Sequence, residues 1–75
     1  MKRIIGQRIK VARENVGLSQ EELAIRATLS KKQLDQIENG GDESFYSPEI
    51  KLIAARKVAR ILELPEDEYL GKCEL

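Results

Sequence analysis

The sequence has no histidine and no tryptophan, and only one cysteine, one phenylalanine, two tyrosines and two prolines in 75 residues. Without histidine there is no imidazole base and no imidazole metal ligand. Cys73, lacking a second thiol, makes neither a catalytic pair nor a zinc site nor an internal disulfide. No catalytic residue, metal site or cofactor is therefore expected, and the chain does not read as an enzyme. No glycine-rich phosphate loop follows a strand. No apolar run could span a bilayer, and Met1-Lys2-Arg3 is too polar a start for a signal peptide. The expectation is a cytoplasmic protein with no membrane partner. β-Branched residues do not cluster in alternating runs, so no sheet is expected either. Finally, there is no net charge, since 13 Lys and Arg balance 13 Asp and Glu.

What is present is helical. A chain this short buries only about 60% of its unfolded surface and supports one core. Its 41% hydrophobic and 35% charged content suits an all-α domain in which every helix contributes. Charge is also unevenly placed. Residues 1–38 hold eight Lys and Arg against five Asp and Glu, and residues 39–75 hold five against eight.

The most informative stretch is Leu18 to Gly40, LSQEELAIRATLSKKQLDQIENG. Ser19-Gln20-Glu21-Glu22 and Ser30-Lys31-Lys32-Gln33 are two capping boxes. In each, the serine oxygen can accept from the backbone N–H three residues on, and the Glu or Gln can reach back. Two short helices joined by a few residues have helix-turn-helix spacing. Leu23, Ala24 and Ala27 give the first a buried face. On the second, Gln33, Leu34 and Ile37 share one side. Lys31, Lys32, Asp35 and Gln36 share the other, where cations and an amide can reach phosphates and base edges.

These residues, Leu18-Ser19-Gln20-Glu21-Glu22-Leu23-Ala24, Leu29-Ser30, Leu34 and Ile37-Glu38-Asn39-Gly40, with Arg13 before Gly17, resemble the Cro/C1-type (XRE family) helix-turn-helix. The resemblance implies a compact five-helix bundle, the lambda-repressor-like DNA-binding domain. It spans residues 1–75 as one domain, with a core of about 4–70 and the helix-turn-helix at about 19–38. It implies sequence-specific binding of double-stranded DNA and transcriptional regulation. Ser30, Lys31, Lys32 and Gln36 would face the major groove, with Asp35 able to accept from cytosine N4. Gln20 and Asn39 would hold phosphates, and Arg13 would pair with Glu38 to tie the first helix to the third. The family often has glycine where Thr28 stands, and Lys or Arg where this chain has Asp42 and Glu43.

Along the chain, the first helix is expected over about Ile4 to Val16, with Ile5, Ile9, Ala12 and Val16 as its stripe and Gly17 as its terminator. The second runs from Gln20 to about Ala27 and the third from Lys31 to Glu38 or Asn39. Ser47-Pro48-Glu49 starts the fourth, which continues to about Leu62 over Leu52, Ala55, Val58, Ala59 and Leu62. Pro65 to Leu70 makes the fifth, stopped by Gly71, with frayed residues 72–75. Phe45 and Tyr46 either fold back on the core or, with Ile50, Ile53 and Ile61, form a contact surface. That surface would serve a homodimer, or a protein partner reached through the 41–47 loop. Two other functions fit the same fold: a protein-interaction adapter, like the RodZ-type cytoplasmic domain, and the antitoxin of a toxin–antitoxin pair.

Overall fold

The computed structural model describes residues 2–72. Its elements are β1 (Lys2–Ile4), α1 (Gly6–Val16), α2 (Gln20–Arg26), α3 (Lys31–Asn39), α4 (Pro48–Ile61), α5 (Glu66–Tyr69) and β2 (Leu70–Lys72).

Most helix boundaries have a local cause. Gly17 ends α1 at φ +88°, and its N–H donates to the carbonyls of Arg13 and Glu14. Both capping boxes close. Ser19 Oγ accepts from the Glu22 N–H at 3.1 Å and Ser30 Oγ from the Gln33 N–H at 3.0 Å, with the reciprocal bonds also made. Ser47 caps α4 by accepting from the Ile50 N–H, with Pro48 at its first position. Beyond α4, Glu63 at φ +55° turns the chain, and the Leu64 N–H donates to Ala59 O at 2.8 Å. That bond satisfies a carbonyl the helix end leaves open.

The first and last elements differ from the sequence expectation. The chain has a small antiparallel sheet, pairing Lys2 with Lys72, Arg3 with Gly71 and Ile4 with Leu70. The Ile5 N–H donates to Tyr69 O at 2.7 Å. This pairing draws Ile4 and Ile5 out of α1, which starts at Gly6, and ends α5 at Tyr69. Gly71 is a strand residue rather than a terminator, and Lys72 is paired. Strands of three residues are too short to show alternation, and their partners lie at opposite ends of the chain. The expected fraying of residues 73–75 lies outside the described residues.

Ile9, Leu23, Ala24, Ala27, Leu34 and Ile37 from the first three helices meet Ala55, Val58 and Ala59 of α4 and Tyr69 of α5 in one core. Val16, placed on the core stripe by periodicity, is 59% exposed in the last turn of α1. At Gly6, α1 lies directly against the end of α3: a Cβ there would collide with the carbonyls of Ile37 and Glu38. Phe45 and Ile61 are half-buried against the core. Tyr46, by contrast, is 99% exposed, and Ile50 and Ile53 are also exposed. Among the described residues, no helix is long and apolar enough to cross a membrane.

Candidate nucleic-acid interface

The reading head is held from below by one ion pair. Arg13, on α1, donates from Nε to Glu38 Oε2 at 2.7 Å, from Nη2 to Glu38 Oε1 at 3.3 Å, and from Nη1 to Leu18 O at 2.8 Å. The Glu38 side chain is fully buried. Gln20 Nε2 donates to its Oε1 at 3.0 Å, so both carboxylate oxygens are engaged. The planar guanidinium fork matches the carboxylate, which makes this geometry specific to arginine. The three residues join α1, α2 and α3.

The network continues to the surface. Gln20 Nε2 also donates to Asp35 Oδ1 at 3.3 Å, and Asn39 Nδ2 donates to the same oxygen at 2.8 Å. Gln20 is half-buried, while Asp35 and Asn39 are exposed. Ser30, Lys31 and Lys32 are exposed at the start of α3. Among the described residues, neither lysine makes an ion pair, and their side of α3 is open.

Gln36 is not on that open side. It is 5% exposed, its Nε2 donating to Glu43 Oε2 at 2.9 Å and its Oε1 accepting from the Ser44 N–H at 2.9 Å. Helical periodicity groups it with Lys32, but the 41–44 loop folds over it. Gln33 helps to hold that loop by donating to Ser44 O. Lys51 Nζ pins it from α4, donating to Gly41 O at 2.8 Å and lying 3.0 Å from Asp42 Oδ1. The two loop carboxylates, which the sequence sets against phosphates, thus each have a partner within the chain.

A groove of about 440 Å³ opens between α1, α2 and α3, lined by Lys10, Arg13, Ser19, Gln20, Glu21, Lys31 and Asn39. Lys10 is the residue that sequence reasoning missed. Its spacing of three from Arg13 puts it on the α1 side that faces α2 and α3, and that spacing was the available signal.

Thr28 occupies the left-handed region at φ +59°, in the turn between α2 and α3. The turn therefore keeps the backbone that glycine favours, with a β-branched residue in it. Glu22 in the first capping box has its carboxyl pKa lowered, chiefly by the Ser19 backbone N–H and then by the Ser19 hydroxyl. On the far side of the molecule, burial raises the Tyr69 phenol pKa, and the Glu66 carboxylate adds to the rise.

A helix-turn-helix domain family model matches residues 6–72. Among solved structures, the chain is similar to the master regulator for biofilm formation SinR, determined in complex with DNA. The TM-score is 0.64 at 34% identity, covering 85% of this chain and 97% of that one. It is also similar to the restriction-modification controller protein C.AhdI from Aeromonas hydrophila. There the TM-score is 0.61 at 28% identity, covering 84% of this chain and 86% of that one.

Proposed function

This chain belongs to the helix-turn-helix family, as a Cro/C1-type member, and from that premise we propose that it is a transcriptional regulator that binds double-stranded DNA through α3. One observation carries the reading: the Lys31 and Lys32 side of α3 is open and adjoins a groove lined by Lys10, Gln20, Lys31 and Asn39. With α3 in the major groove, Ser30, Lys31 and Lys32 meet base edges, a lysine donating to guanine O6 and N7. Lys10, Gln20 and Asn39 hold the backbone and fix the register. Gln36 acts differently from a base reader: it locks the 41–44 loop against α3. Arg13 and Glu38 set the angle between α1 and the reading head. Residues 1–75 work as one binding unit, and the regulator acts in the cytoplasm.

A homodimer is favoured by the exposed Tyr46, which precedes α4, and by the exposed Ile50 and Ile53 in its first turns. That helix begins with acidic Glu49 and carries Arg56, Lys57 and Arg60 toward its end. Two copies packed antiparallel there would match charge twice and cover the isoleucines. A two-fold pair would suit half-sites about one helical turn apart.

Chemical-shift mapping tests the placement. Adding a short duplex to the labelled protein should perturb Lys31, Lys32, Asn39 and Lys10 first. No perturbation by duplex even at low salt would instead favour a protein-interaction adapter.

A further inference from the structure

We propose that Asp35 sets how well this protein discriminates its site from bulk DNA, as an internal competitor for the amides that hold phosphate. The inference rests on the DNA-binding reading above. Asp35 is exposed, and its Oδ1 accepts from two amides on different helices, Gln20 at 3.3 Å and Asn39 at 2.8 Å. An amide nitrogen carries two hydrogens. Gln20 commits both, one to Asp35 and one to Glu38 Oε1 at 3.0 Å. Asn39 commits one to Asp35 and keeps one.

The order of exchange follows from these bonds. Glu38 is buried and paired with Arg13, so Gln20 keeps that bond. An arriving phosphate takes the Gln20 amide by displacing Asp35, the longer and exposed partner. A phosphate held by the free Asn39 hydrogen would have an oxygen about 5 Å from Asp35, at ordinary hydrogen-bond lengths. The carboxylate therefore opposes every backbone encounter on this face. Loose binding to arbitrary sequence rests on phosphate attraction alone and bears the whole penalty. Seated binding is held in one register by base contacts and meets the carboxylate in that register alone, so it bears less of the penalty.

The test is fluorescence anisotropy over a salt series with two duplexes, one of mixed sequence and one enriched by in vitro selection on the wild-type protein. Asp35→Asn should tighten binding to the mixed duplex roughly fourfold, as expected for removing a like charge about 5 Å from a phosphate oxygen in high dielectric. Its log affinity should also fall more steeply with log salt. Its gain on the selected duplex should be smaller, so the ratio between the two narrows. Adding Gln20→Ala should remove part of the gain. Circular dichroism and thermal unfolding establish that each variant stays folded. No gain on the mixed duplex, or an equal gain on both, overturns the role of Asp35 while wild-type binding stands. A loss confined to the selected duplex makes Asp35 a direct base reader and also overturns it. If the wild type and a Lys31→Ala/Lys32→Ala variant bind the selected duplex alike, the DNA-binding reading through α3 fails, and this inference with it.

Discussion

Thr28 sits at φ +59° in the turn between α2 and α3, where a β-branched side chain crowds its own backbone. It is exposed, so glycine there loses little packing. Thr28→Gly should raise stability by roughly 1 kcal/mol, the left-handed penalty less the extra freedom of the unfolded chain. Equilibrium urea unfolding measures it. Gly6 poses the opposite case. Its missing Cβ is what lets α1 rest on the Ile37 and Glu38 carbonyls. Gly6→Ala should cost at least ~2 kcal/mol, because the obstacle is backbone and cannot swing away. Arg13 is the third such position. Arg13→Ala leaves the fully buried Glu38 carboxylate without its cation and should cost about 3–5 kcal/mol. Replacing both partners with apolar residues of similar size should recover most of that loss. Recovery by the double change separates desolvation from lost packing.

At the scale of the element, both helices of the reading head depend on their serine caps. Ser30→Ala should cost ~1 kcal/mol, and Ser30→Gly only a few tenths. The first box also answers to pH. Glu22 has a lowered pKa in the folded state, so its contribution is complete above the usual carboxylate range and is lost as pH falls through the folded value. An NMR titration should place Glu22 below an ordinary glutamate, and Ser19→Ala should return it toward the ordinary value. An unchanged midpoint in Ser19→Ala would assign the shift elsewhere. These helices were legible in the sequence because their signals are local. A cap and its partner lie three residues apart, and Leu34 and Ile37 repeat at helical spacing. The sheet was not legible, since residues 2–4 and 70–72 pair across the length of the chain. Gln36 was misplaced for a related reason. Periodicity assigns a helix side but cannot show a loop folding over it.

For the whole molecule, zero net charge hides a division of labour. The open cations of α3 and Lys10 lie on one side, while Asp42 and Glu43 are engaged by Lys51 and Gln36. Lys10, Lys31 and Lys32 thus gather at one groove without a basic composition, and charge totals cannot show that gathering. Burial raises the Tyr69 phenol pKa, so its contribution is full below the usual tyrosine range and is lost as pH climbs through the folded value. Alkaline unfolding should therefore accompany Tyr69 ionisation. Duplex affinity across a salt series, for the wild type and for Lys31→Ala/Lys32→Ala, decides whether α3 offers these lysines to a duplex. The wild type should lose affinity steeply with salt. The variant should keep its fold and bind more weakly, having lost two base-edge donors. Equal affinity for the two proteins would contradict the account.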